Sequence, residues 1–357
     1  MAFTTIDDPS AHFNIITYTG NEATRSITNS ANAGDFQPDW VWIKETNNAV
    51  SHRIFDSSRG ATKRIFTNNT DAESTQSNAL TSFDSNGFSL GDGTSVNGNS
   101  DTYVAYQWKA NGGSTTTNAA GANGADHESV FQANDTAGFS IITFTSDAAA
   151  GDTVIKHGLS KAPTWMIMKS RSNTGIWWVY HDSLTDDGYM HLESTNANQD
   201  GSTNVWRNTA PTSSVFKTGL NSLNNTNGAT MVGYCFAPIQ GFSKFGDYKG
   251  NGNSNGPYIY TGFRPQWLLI KVQSQAGNDW ILIDDKNSPI NVVHDYLRAN
   301  TNVALTDQYN IDLDLLSNGF KIRGDSGNIN ASNQTYSYFA FAKQPWCSSK
   351  GVPSNAV

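Results

Sequence analysis

Seven histidines and two cysteines are the side chains in this chain best suited to nucleophilic or metal chemistry. The segment VYHDS at 179–183 sets His181 beside Asp182 and Ser183, the residue types of a hydrolytic triad. Neighbours on a strand point to opposite faces, however, and a triad is assembled from distant segments by spatial role. Similar stretches elsewhere carry Phe55-Asp56-Ser57 and Ile283-Asp284-Asp285, so the chain does not repeat the histidine. No catalytic residue is assigned, and the chain is read as a non-enzyme. His52, His157, His181, His191 and His294 show no His-x-x-x-His spacing and the cysteines no Cys-x-x-Cys, so zinc is not expected. Cys235 and Cys347 are too few for a disulfide framework and are expected as free thiols.

Two further groups invite a ligand. Asp84, Asp92 and Asp101 lie among the Gly-rich and Asn-rich turns of FDSNGFSLGDGTSVNGNSD, and calcium favours such oxygen donors. Asp and Asn next to Gly are also ordinary turn formers that bond their own backbone, and the alternating Asp-x-Asp-x-Asp-Gly series of a calcium loop is missing. No metal ligand and no cofactor site is therefore assigned. Trp177 and Trp178, with Tyr180, Tyr189 and Trp206 near in sequence, would offer aromatic faces to a sugar. On a strand the two tryptophans face opposite sides, which favours packing or a subunit contact over a glycan platform.

The elements that would position these residues recur along the chain. QPDWVWIK at 37–44, APTWMIMK at 162–169 and RPQWLLIK at 264–271 share Pro-x-Trp, three apolar residues and Lys. Each is followed by a second apolar run ending near an acid, Asp56, Asp182 and Asp284. Then come SNGF at 85–88, SSVF at 213–216 and SNGF at 317–320, and a closing run, TYVAYQW, TMVGYCF and TYSYFAF. A train of matches in one order is the mark of tandem copies. The apolar runs are too short for helices and too continuous for a one-sided strand, which predicts central strands covered on both faces, with Trp40, Trp165 and Trp267 as core anchors. The closing runs alternate at the period of a strand.

The fold expected is all-β, three tandem β-sandwich or jelly-roll-like domains. They span 1–110 with a short N-terminal arm, 135–240, and 241–357 with a C-terminal tail. Residues 111–134, poor in large apolar side chains over most of their length, read as a Gly/Ser/Thr/Asn-rich linker. That linker predicts a loosely tethered first domain, and Phe242, Phe245 and Tyr248 predict a tighter pair behind it.

Composition narrows function. The chain has 357 residues, 37% hydrophobic and 11% aromatic, enough to bury several cores. Its 15% charged residues and net charge of −8 leave no basic cluster for phosphates, so nucleic acid is excluded as a partner. The start MAFTTIDDPSAHFN lacks a basic segment and an apolar core, and no run of about 18 apolar residues occurs, so neither export by a signal peptide nor membrane insertion is expected.

In wording, the chain resembles a family of tandem-repeat virion structural proteins, of tail or fibre type, from marine tailed bacteriophages. The likeness rests on MAFTTIDDPSA at the start, YTGN at 18–21, PDWVWIK at 38–44, FDSSRGATK at 55–63, SFDSNGFS at 82–89 and YVAYQWKA at 103–110. It continues through NTAPTSSVF at 208–216, GFSKFG at 241–246 and GNG at 250–252, covering nearly the whole chain. The resemblance implies a phage virion structural protein made in the host bacterial cytoplasm and placed in the tail or on the outer surface. It would be a tail-associated appendage or fibre contributing to host attachment. Its partners would be other virion proteins and itself, as a homo-oligomer such as a trimer, with a host-surface glycan as a candidate ligand. A capsid decoration protein and a polysaccharide-binding or polysaccharide-degrading tail protein are the alternatives. The resemblance transfers no catalytic or ligand residue.

Overall fold

A computed structural model of the chain describes residues 3–29, 35–146, 152–200, 205–219, 226–307 and 310–353. The last four residues of the expected C-terminal tail and the first two of the N-terminal arm lie outside them. Among the described residues the architecture is all-β, with one four-residue α-helix at Thr94–Asn97. No described helix is long and apolar enough to cross a membrane.

Three large antiparallel sheets organise the molecule, and their strands follow the same succession. The first runs Phe13–Thr19, Thr102–Trp108, Trp40–Glu45, Arg53–Asp56, Lys63–Phe66 and Ser74–Thr75. The third runs Ser243–Lys249, Thr335–Pro345, Phe263–Val272, Ile281–Asp284, Asp295–Arg298 and Thr306–Asp307. In the second, Phe139–Thr145, Thr230–Phe236, Trp165–Ser170, Trp178–His181 and Met190–His191 take the matching places. The strand bearing the Pro-x-Trp motif thus pairs on one side with the closing strand of its segment. In register, Trp40 faces Trp108, Trp165 faces Phe236 and Trp267 faces Phe341.

Each motif strand is buried on both faces, and alternation decides which core each side chain joins. Leu268, Ile270 and Val272 point outward to a small sheet made of Tyr258–Tyr260, Gly319–Ile322 and Leu313–Leu316. Val41 and Ile43 do the same against Arg25–Thr28, Gly87–Leu90 and Leu80–Asp84, and Met166 and Met168 face the core that includes Ile155 and Phe216 of the Asp152–Lys156 and Val215–Gly219 pair. The SNGF glycines serve these small sheets by leaving room: a Cβ on Gly87 or Gly319 would lie 2.1 Å from the carbonyl oxygen of Ile27 or Ile259.

The other face of every large sheet goes to one common core. Trp40, Trp42, Trp108, Trp165, Tyr234, Phe236, Trp267, Phe339 and Phe341 all belong to it. Trp40 stacks on Tyr234 at 4.7 Å, Trp165 lies 4.5 Å from Phe339, and Trp42 meets Trp267 edge-on at 6.3 Å, so each pair of sheets shares aromatic contact.

Two expectations are corrected. The 111–134 segment is not a free linker, because Thr116–Asn118 and Ser129–Asn134 pair as the first two strands of the second sheet. Its start is held by the Asp39 carboxylate, which accepts from the N–H groups of Ala110, Gly112 and Gly113 at 2.7–2.9 Å. The first domain is not loosely tethered either, since its inner face is part of the common core. The physical reason is the same in both cases: apolar side chains on the far face of each sheet find cover only in the other two. Truncation of Trp165 to Ala should cost about 3–5 kcal/mol and lower one cooperative calorimetric transition of the whole chain. A separate early transition with the remainder unmoved would contradict the common core.

Candidate functional site

Several of the polar side chains that looked chemical in sequence, His52, Asp56, His181 and Asp284, lie where the three sheets meet. Register sets which positions correspond: Asp56 faces Trp40, Asp284 faces Trp267, and the residue facing Trp165 is His181 rather than Asp182. Asp56 and Asp284 are buried, whereas the Asp182 side chain is about half exposed. The Tyr106 hydroxyl of the first sheet donates to Asp284 Oδ2 of the third at 2.8 Å, and Tyr234 of the second donates to Asp56 Oδ2 of the first at 2.6 Å. At the third junction the matching pair is Phe339 and His181, whose rings meet edge-on at 5.2 Å and 86°. The pair therefore changes on both sides together, Tyr with Asp twice and Phe with His once.

A second set of bonds links the same junctions. Trp177 Nε1 donates to the Phe66 carbonyl and Trp280 Nε1 to the His191 carbonyl, both at 2.8 Å. The matching residue of the first sheet is His52, whose Nε2 lies 3.0 Å from the Arg298 carbonyl. His52 Nδ1 accepts from Trp42 Nε1 at 2.9 Å, which leaves Nε2 to carry the hydrogen that Arg298 receives. A third set is backbone alone: the N–H groups of Glu73, Asn198 and Leu305 donate at 2.8 Å to the carbonyls of Arg171, Gln273 and Thr46, each the sixth residue after a motif tryptophan. Every set joins the first sheet to the third, the second to the first and the third to the second.

The electrostatics follow from burial. Desolvation pushes the His157 and His181 imidazoles down to about 4 and that of His52 well below its ordinary range. The motif lysines Lys44, Lys169 and Lys271 are lowered to about 8 by the same cause, and each ammonium donates to backbone carbonyls, Lys169 reaching Thr70 of the first segment at 3.2 Å. Burial also raises the Tyr106 and Tyr234 hydroxyls well above their usual range, which keeps them donors.

The ligand candidates read from sequence are not brought together. Ser183 Oγ lies 2.7 Å from His181 Nδ1, but Asp182 approaches that same nitrogen at 3.5 Å, so the three do not form a relay across the ring. Asp84 accepts from Ser82 and Ser89, Asp92 from Asn78, and Asp101 from Asn47 and Asn48, the turn-forming arrangement. Trp177 and Trp178 do face opposite sides, one to the common core and one to the outer core of the second segment, and both are fully buried with Trp206. They offer no face to a sugar. Cys235 is buried and Cys347 half-buried, both as free thiols. Sequence reading missed one surface group, His294, Asp295 and Asp307, whose ligand atoms lie within 4.8 Å of one another. Strand pairing across Asp295 and Asp307, invisible in the spacing, creates it.

The chain belongs to the family described as a domain of unknown function, DUF7483, whose model matches residues 8–345. No curated protein and no solved structure matches it.

Two expectations for stability come from the junctions. Tyr106→Phe should lose about 1.5–3 kcal/mol in urea unfolding, because a buried carboxylate loses a donor. His181→Asp alone should be strongly destabilising, and adding Phe339→Tyr should recover much of the loss. Additive effects of that pair would contradict the matched-pair account. As for pH, imidazoles lowered in the folded state mean that the unfolded chain binds protons first as pH falls. Stability should be fully present above the ordinary histidine value of 6.5 and be lost toward about 4. Melting temperatures of His157→Gln and His181→Gln variants, with a flatter slope through that window, check the assignment.

Proposed function

We propose that this member of the DUF7483 family is a non-enzymatic structural protein of a phage virion, a tail-associated appendage or fibre part that contributes to attachment at the host surface. The proposal includes its organisation as three copies of one β-unit closed into a ring. The observation that carries the reading is the common aromatic core: histidines, acids and tryptophans that would serve chemistry elsewhere are invested in joining three sheets. Such an architecture resists distortion without disulfides, as suits a particle part that must survive outside a cell. The segment likeness to tail or fibre proteins of marine phages supports the same reading.

The partners on this reading are other virion proteins. Self-association into a trimer or other tail-symmetric set would use outer surfaces, since the inner faces are already covered within one chain. Location and copy number test it. Immunogold labelling of purified virions should mark the tail, and quantitative mass spectrometry should find a number of copies set by tail symmetry. Labelling spread over the head at high copy number would replace the proposal with capsid decoration, and absence from the particle would overturn it.

A further inference from the structure

Among the described residues almost all large aromatic side chains are buried or half-buried, but Tyr258 and Tyr260 are 45% and 48% exposed. They are alternate residues on the edge strand Tyr258–Tyr260, so their rings share one face of the third small sheet, about 7 Å apart along the strand. The fold does not require them. Ile259 faces Phe320 just as Ile27 faces Phe88 and Ile155 faces Phe216, and the flanking positions in those other sheets are Ser26 and Thr28, or Val154 and Lys156. The residue opposite Tyr260 is Gly319, which has no side chain to cover the ring.

The surroundings are polar, with Lys244, Lys321 and Arg323 set against one carboxylate, Asp314. Lys321 is the cross-strand neighbour of Tyr258 on one side and of Asp314 on the other, so all three lie on the same face, where Asp314 is held in an ion pair with Arg323. The Lys244 ammonium sits 5.2 Å from the centre of the Tyr260 ring and donates to the Tyr260 carbonyl at 2.7 Å. Lys321 donates to the Gly256 carbonyl, and among the described residues neither lysine has a carboxylate at ion-pair distance. Beside Tyr260 opens a cleft of about 340 Å³, lined in part by Phe3, Gln240 and Lys244. Because Lys244 occupies the Tyr260 carbonyl, the edge is blunted against addition of a partner's strand, which leaves the side-chain face as the usable surface.

We propose that this face is a carbohydrate-binding site for an acidic polysaccharide, with sugar rings stacked on Tyr258 and Tyr260 and their carboxylate or sulfate groups met by Lys244 and Lys321. Aromatic faces cover the apolar side of a sugar at small entropic cost, and two cations that form no ion pair among the described residues, the nearby Asp314 being taken by Arg323, favour a negatively charged chain. The attachment reading enters only as the source of the glycan, so the site is tested on the isolated chain. Absence of binding would leave the virion location standing, and absence from the virion would leave the binding standing.

Affinity electrophoresis of the full chain in gels containing alginate, a polyuronate, or neutral dextran is the test. Alginate should retard the protein. Tyr258→Ala and Tyr260→Ala should each weaken retardation about tenfold, Tyr260→Phe should keep most of it, and Lys244→Gln should weaken it and reduce its sensitivity to salt. Unchanged melting temperatures would show that the variants fold, as expected for exposed rings. No retardation by alginate, stronger retardation by dextran, or retardation indifferent to both Tyr→Ala changes would each overturn the proposal.

Discussion

A sheet with two apolar faces has to be covered twice, and that requirement governs this molecule. The small sheet within each segment covers one face. The other carries tryptophans, tyrosines and phenylalanines that water would otherwise meet over a large continuous area, and only the matching faces of the other two segments cover it. Three segments therefore do together what none can do alone. The contacts at each junction are heterologous, and after three steps they close, as a head-to-tail ring does in an oligomer. On the organisation proposed above, the ring lies within one chain.

Apolar burial alone would not fix how the segments meet, because greasy faces slide. The polar bonds at the junctions supply direction. Two Tyr–Asp bonds and one Phe–His contact occupy matching places, and a carboxylate set against Phe339 would be buried without the hydroxyl donor that Asp56 and Asp284 have. The indole and imidazole bonds to strand carbonyls add a geometric requirement at the same junctions. His181, which first suggested catalysis, and the junction acids Asp56 and Asp284 are therefore part of how the segments recognise one another.

How much of this was legible in sequence differs from residue to residue. Continuous apolar runs led directly to strands buried on both faces, and the alternation of Tyr and Trp in the closing strands was read correctly, because period-two patterning is a local property. What covers the second face is not local, so three similar segments read as beads on a tether. The Gly-rich and Asn-rich stretch after Asn111 masked the pairing of Ser129–Asn134, whose partner strand begins only at Phe139. Spacing alone aligned Asp182 with Asp56 and Asp284, whereas strand register puts His181 there, a one-residue slip that turns a side chain to the other face. The twin tryptophans drew notice as a binding platform and are buried. Tyr258 and Tyr260, in a plain YIY, became visible as a surface feature only when their counterparts Ser26 and Thr28 could be set beside them.

The claim on which the account turns is that the first segment is held to the others by its inner face rather than by the chain alone. A specific protease site inserted after Gly121, on an exposed turn, allows the backbone to be cut in the folded protein. After cleavage, size-exclusion chromatography without denaturant should show both fragments eluting together at the volume of the intact chain, and separating only when the protein is unfolded. Two separate folded peaks on cleavage would show that each segment covers itself, and would contradict the common core.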